Sequence, residues 1–230
     1  MIKYDLFPTL VATFEYDQKD EFRKLFEKNY MKHCHYDKNG TLVTSEIEGY
    51  NKVHFEPDFE PFFDFAMKCC AEYLTELSVN LDNYYLVLAK SWFSFLNGGM
   101  NVSKHMHADH HLSFTYYVEV PEDICKTFHV SDQRQNLNEP THGTFTRLGT
   151  IPNIKQDNIY NTNDYFFNLK EGQLIVFPSK LPHWTPEQNV RTDSIRKCIA
   201  GDLLLMYKDV DNKKPYGMYR PDLWKVYDVA

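Results

Sequence analysis

Residues 84–120 read YYLVLAKSWFSFLNGGMNVSKHMHADHHLSFTYYVEV. Two runs rich in aromatic and aliphatic side chains, Tyr84 to Phe95 and His111 to Val120, flank a polar centre. Such side chains fit a pleated, half-buried surface, so each run is expected as a strand. Asn97-Gly98-Gly99 marks a turn after the first run, and Pro121 closes the second. The polar centre packs His105, His107, Asp109, His110 and His111 into seven positions (105–111) between two strands.

The same pattern continues towards the C-terminus. Lys126 to Val130, Gly143 to Leu148, Tyr165 to Asn168, Gln173 to Phe177 and Arg196 to Tyr207 read as further strands. Pro178 ends the fourth of these. Towards the N-terminus, Phe7 to Phe14 alternates weakly, as an edge strand would. Asp17 to Tyr30 carries Phe22, Leu25 and Phe26 at helical spacing, and Glu60 to Leu77 repeats apolar residues at three and four. Pro57 and Pro61 suit the approach and first turn of that second helix. Short strands with turn punctuation point to a sandwich, a jelly roll or a small barrel, with two helices packed outside it. The tail from Asp209 to Ala230 is aromatic enough to pack on the body.

The chain has 230 residues, of which 43% are hydrophobic. That supplies one substantial core, and one domain is expected: helical support at about 15–80 and a sheet core at about 84–207. The net charge of -7 argues against a uniformly basic nucleic-acid binder. No run of 18 apolar residues offers a membrane span. Met1 to Pro8 lacks the basic flank and apolar run of a secretion signal, so a cytoplasmic location is expected. The five cysteines, Cys34, Cys69, Cys70, Cys125 and Cys198, form no CxxC pair and read as buried free thiols in a reducing compartment. A homodimer is the commonest homo-oligomer, but no surface feature identifies an interface.

In extended chain, residues two apart share a face. His105 and His107 can therefore share one metal ion, as can His107 and Asp109. His183, just beyond the strand ending at Phe177, completes a set if the fold returns it. Two imidazoles and a carboxylate on one face suit Fe(II) and leave open positions for a co-substrate and oxygen. The HxH spacing alone also suits a zinc or manganese cupin, and it differs from the HExxH helix of zinc proteases. His110 and His111 read as strand caps or as supports for the ligands.

The stretch from Ser91 to Val118 resembles a branch of the Fe(II)/2-oxoglutarate-dependent oxygenases. The residues that carry the resemblance are Ser91-Trp92, Asn97, Gly99, His105, His107, Ser113 and Tyr116-Tyr117-Val118. Phe177-Pro178-Ser179 with His183 matches that branch's FPS…H segment, and Arg196, thirteen residues later, matches its co-substrate arginine. Leu6-Phe7-Pro8-Thr9 is similar to the family's usual start. The resemblance implies a double-stranded β-helix, or cupin-like jelly roll, with flanking helices. It also implies Fe(II) and 2-oxoglutarate as cofactors. The superfamily's usual triad maps to His107, Asp109 and His183. The branch's HxH pair maps to His105 and His107. The third ligand is thus Asp109 or His105, with the carboxylate preferred because it neutralises part of the ion's charge. Arg196 would grip the far carboxylate of 2-oxoglutarate as a planar two-point donor, with a hydroxyl from Tyr117 or Tyr116 beside it.

The chain departs from the branch after that arginine. A small hydroxyl residue and a closing F-N are usual there, whereas this chain has Cys198 and Gly201-Asp202. The activity implied is hydroxylation by a 2-oxoglutarate-dependent dioxygenase. The substrate would be an amino-acid side chain, prolyl among them, or a small metabolite. Trp92, Trp184 and Tyr116 are candidates for the pocket wall, and the loops 133–140 and 156–164 for its cover. The rival readings are a non-catalytic jelly-roll binding module, suggested by the altered strand, and a cupin-type metal isomerase.

Overall fold

Strand β1 (Ala12–Glu15) and helix α1 (Lys19–Asn29) open the fold, followed by the short pair β2 (His35–Tyr36) and β3 (Leu42–Val43) and by helix α2 (Glu60–Glu76). Then come β4 (Tyr84–Asn97), β5 (Val102–His105), β6 (Leu112–Glu119) and β7 (Thr127–Ser131). The chain continues through β8 (Phe145–Thr146), β9 (Gly149–Thr150), β10 (Asp164–Asn168), β11 (Gln173–Pro178), β12 (His183–Thr185), β13 (Ile195–Tyr207) and β14 (Lys225–Tyr227). The structure is a computed structural model that describes residues 8–36, 42–43, 51–131, 145–146, 149–150, 164–187, 192–208 and 225–227. The expected loops 133–140 and 156–163, the opening Leu6-Phe7 and residues 209–224 of the tail lie outside the described residues.

Two antiparallel sheets carry the fold. The larger has the order β1-β11-β6-β13-β4-β14, and the smaller β10-β7-β12-β5. This corrects the expectation of a closed jelly roll. Among the described residues no ladder joins one sheet to the other, and each ends in free edges, β1 and β14 in one, β10 and β5 in the other. The architecture is two open sheets with flanking helices. The pattern of short strands and turns is common to sandwiches, jelly rolls and barrels. Closure depends on backbone pairing at sheet edges, which side-chain periodicity does not report.

Side-chain alternation sorts the larger sheet into two faces. Phe93 of β4, Phe114 and Tyr116 of β6, Leu174 and Val176 of β11 and Ile199 of β13 join Phe22, Phe26, Phe62, Phe63 and Tyr73 of the helices in one buried cluster. Aromatic rings dominate it: Phe22 stacks on Phe62 at 4.5 Å, Phe62 lies 4.7 Å from Tyr116, and Phe26 meets Phe93 edge-on at 4.8 Å. Each such pair adds about 0.5–1.5 kcal/mol beyond the area it buries. Helix α2 buries Phe62, Phe63, Ala66, Met67, Cys70, Tyr73 and Leu74. It stops where Ser78 takes φ 59°, with Ser78 N–H donating to Thr75 O and Val79 N–H to Leu74 O. That paired closure satisfies carbonyls the helix would otherwise leave open.

The other face of the large sheet turns towards the small sheet. Tyr117, Ile175, Phe177 and Cys198 pack there with Phe128 and Val130 of β7. Gly201 shows how tightly the helix-side face is filled, since a Cβ on it would lie 2.5 Å from the Phe114 ring and 3.1 Å from Leu88. Any side chain at position 201 requires Phe114 to move. All five cysteines are free and buried. No helix among the described residues is long and apolar enough to cross a membrane.

Candidate metal centre

Three histidines meet between the sheets. His105 ends β5 and stands directly opposite His183 at the start of β12. His107 follows two residues later on a segment pinned at three points. His107 N–H donates to Ser179 O at 2.8 Å, Ser179 N–H to His111 O at 3.2 Å, and His111 N–H to Leu203 O at 3.0 Å. These bonds tie the polar centre of the 84–120 stretch to the end of β11 and to Leu203 within β13. The ring centroids of His105 and His183 are 4.3 Å apart, those of His105 and His107 5.1 Å, and those of His107 and His183 5.2 Å. One ligand nitrogen from each lies within 4.8 Å of the others, a spread that one ion could bridge.

The second nitrogen of each ring is already committed. His105 Nδ1 lies 2.7 Å from Ser103 O, His183 Nδ1 2.8 Å from Leu181 O, and His107 Nδ1 2.7 Å from Asp202 Oδ1. Each partner is an acceptor, so in the neutral ring the proton sits on Nδ1 and Nε2 keeps its lone pair. That is the tautomer a metal requires. Burial lowers the pKa of His183 to about 4, and the neighbouring His105 and His107 push it the same way. Burial also lowers that of His105. Both are therefore neutral, ligand-ready imidazoles near pH 7.

Asp109 sits in an exposed turn and is not part of this group. His110 is half-buried, with Nδ1 3.7 Å from Asp202 Oδ2. His111 Nδ1 accepts the Leu205 N–H at 3.1 Å, a support of β13 rather than a part of the cluster.

Arg196 lies in the same cavity, a space of about 100 Å³ that Trp92, Phe128, Phe177 and the three histidines also line. It is 3% exposed. Nη1 donates to Cys125 O and Nη2 to Thr185 Oγ1, each at 2.9 Å, while Nε has no partner. Among the described residues no carboxylate pairs with this guanidinium. This buried cation is held by neutral acceptors and keeps N–H donors unused, among them Nε. The adjacent Lys197 alternates to the helix side, where it pairs with Glu27 and Glu119 at 2.8 and 2.9 Å.

The remaining expected residues divide by the same alternation. The Tyr117 ring faces the guanidinium at 5.6 Å, and burial drives its phenol pKa up, so it stays neutral. Tyr116 points the other way, into the aromatic cluster beneath α2, and does not line the cavity. Cys198 lines the cavity, and burial pushes its thiol up to about 11, so no thiolate forms there. Trp92 lies 5.6 Å from His107 and walls the site. Trp184 also lines the cavity, and its ring lies tilted 5.2 Å from that of His129.

Thr185 and Asp202 were not among the expected site residues. Thr185 supplies beside Arg196 the hydroxyl that position 198 lacks. Its signal was present: it falls two residues after His183, on the same strand face. Asp202 shares a face with Arg196 and Cys198 by the same rule.

A larger open depression of about 740 Å³, lined by Tyr16, Lys19, Glu122, Lys126 and Glu171 among others, contains no histidine or cysteine.

Residues 90–202 match the protein family described as "Putative 2OG-Fe(II) oxygenase". No curated protein sequence is similar enough to count as a match. Among solved structures, the non-heme alpha ketoglutarate dependent epimerase SnoN from nogalamycin biosynthesis aligns with TM-score 0.54 and 14% identity, covering 95% of this chain and 91% of its own. The same epimerase in complex with Fe3+, alpha ketoglutarate and nogalamycin RO aligns with TM-score 0.53 and 11% identity, covering 95% and 94%. A Pseudomonas putida prolyl-4-hydroxylase aligns with TM-score 0.48 and 12% identity, covering 85% and 88%. The matched segment contains every residue of the cluster and the buried arginine. The match takes in just under half of the chain, and the likeness to these structures, at 11–14% identity, is one of fold.

Proposed function

We propose that the protein is an Fe(II)- and 2-oxoglutarate-dependent oxygenase that hydroxylates a C–H bond of an amino-acid side chain or a small metabolite. One observation carries the reading. Three imidazoles, each with Nδ1 bonded to an acceptor, bring one nitrogen apiece within 4.8 Å of the others, in the cavity that also holds the guanidinium of Arg196, which no carboxylate of the described residues pairs. A metal-only function would not require that second feature. A dicarboxylate co-substrate would use both.

His105, His107 and His183 are the proposed ligands. A neutral nitrogen set suits Fe(II) while leaving positions for other oxygen donors. When bound, iron and 2-oxoglutarate together supply oxygen activation, which no side chain of this site offers. The chain's own residues bind and orient. Arg196 holds the distal carboxylate through its spare N–H donors, with Thr185 and Cys125 O keeping its plane fixed. Trp92, Phe128 and Phe177 wall off water, which strengthens every charge interaction inside. The Tyr117 hydroxyl remains protonated and available as a donor.

The test is anaerobic addition of Fe(II) and then 2-oxoglutarate to metal-free protein. A visible charge-transfer band that needs both additions is expected, followed by succinate release when oxygen is admitted. Metal uptake without 2-oxoglutarate binding would instead favour an isomerase-type site. No uptake of either would favour a binding module.

A further inference from the structure

Asp202 is fully buried, yet it is a carboxylate in the space between the sheets. It lies on β13 where the register with β4 shifts between Asp202 and Leu203. Such irregularities re-aim side chains beside active sites. Its Oδ1 accepts from the Ser113 hydroxyl at 2.6 Å and from His107 Nδ1 at 2.7 Å. The Ser179 hydroxyl lies 2.8 Å from Ser113 and extends the network. Its Oδ2 faces Lys90 Nζ at 3.4 Å and His110 Nδ1 at 3.7 Å. His105 and His183 each rest on a backbone carbonyl two residues earlier in their own strand region. Only His107 rests on a charged side chain, and that side chain comes from 95 residues away.

We infer that Asp202 is the positioning residue of the metal centre, holding His107 in the Nδ1–H tautomer and supplying, one hydrogen bond behind the ligand, the negative charge that an all-imidazole set lacks. This rests on the reading of His105, His107 and His183 as ligands. Burying a carboxylate is costly unless its bonds are satisfied; here the donors to Oδ1 include a proposed ligand, while Oδ2 makes no hydrogen bond and is balanced only by the charge of Lys90 and the nearby His110 ring. A carboxylate behind an imidazole fixes the ring's rotation and raises its basicity as a ligand. Asp202 would not touch the ion itself.

The experiment is Co(II) titration of metal-free wild type and of Asp202→Asn, followed by the visible d–d spectrum and accompanied by thermal unfolding. Asparagine keeps an oxygen acceptor for His107 but removes the charge. A loss of Co(II) affinity of about tenfold to a hundredfold, with an altered d–d band and a folded protein, is expected. Equal affinity and an unchanged band in Asp202→Asn would overturn the inference while leaving the metal site standing. A wild type that takes up no Co(II) would overturn the metal reading and this inference with it. Nitrogen-15 spectroscopy of the imidazoles in metal-free wild type provides a measurement independent of whether the variant folds. His107 should carry its proton on Nδ1 with Nε2 bare, and a proton on Nε2 alone would refute the positioning role.

Discussion

Replacing Arg196 with methionine should separate co-substrate anchoring from folding. In the folded protein the guanidinium is 3% exposed and bonded only to Cys125 O and the Thr185 hydroxyl. A two-point grip on a carboxylate involves two charge-assisted hydrogen bonds, each contributing about 1.5–3 kcal/mol. Taking the lower bound for both, methionine forfeits about 3 kcal/mol, or roughly a hundredfold in Kd. The stability balance is different. Methionine strands two neutral acceptors at about 1–3 kcal/mol each. It also removes a buried, uncompensated cation whose desolvation costs several kcal/mol. These contributions oppose one another, so the unfolding free energy of metal-free protein should change by no more than about 2 kcal/mol. The assay is calorimetric titration of 2-oxoglutarate into anaerobic, metal-loaded wild type and variant, with urea unfolding of both. Metal affinity should be unchanged. A 2-oxoglutarate Kd within about threefold of wild type would refute the anchor. A collapse in stability with unaltered affinity would make Arg196 a structural residue.

The ligand set is tested by paired truncation: Asp109→Ala should leave Co(II) affinity close to wild type, and His105→Ala should weaken it by roughly tenfold or more. The opposite pattern would make the exposed carboxylate the third ligand. Gly201→Ala places a methyl 2.5 Å from the Phe114 ring and should destabilise the fold by about 1–3 kcal/mol in urea titration, whereas an unchanged midpoint would mean that β13 and Phe114 yield freely. The pKa of His183 is about 4 when folded, against 6.5 for the free side chain, so between those values the unfolded chain binds more protons. Metal-free stability should therefore fall as pH drops from about 6.5 towards 4, by about 3 kcal/mol over the window. His105 and His110, also lowered by burial, act in the same direction. Unfolding free energies that stay flat between pH 7 and 4.5 would contradict a buried neutral His183.

Local pattern determined a good deal. The helices at Lys19–Asn29 and Glu60–Glu76 and the long strands at Tyr84–Asn97, Leu112–Glu119 and Ile195–Tyr207 follow from apolar spacing, because each buries one face or stripe in a shared core. The same alternation puts Arg196 and Cys198 on one side of β13. The two strands that carry the outer histidines were not legible. Val102–His105 reads VSKH and His183–Thr185 reads HWT, too short and too polar to show a period. They exist as strands because they pair with each other, across about 80 positions of sequence, and because β12 also pairs with β7.

The choice between Asp109 and His105 was likewise open in the sequence, since both lie two residues from His107. Only the tertiary structure separates them: pairing of β5 with β12 sets His105 opposite His183, while the chain after His107 turns outwards and carries Asp109 into solvent. The carboxylate that does reach the site is Asp202. Its contact with His107 arises because the 105–111 segment is tied to the end of β11 and to the interior of β13, which no spacing rule along the chain can express. Sequence periodicity specifies which face a side chain takes; long-range backbone pairing decides what that face meets.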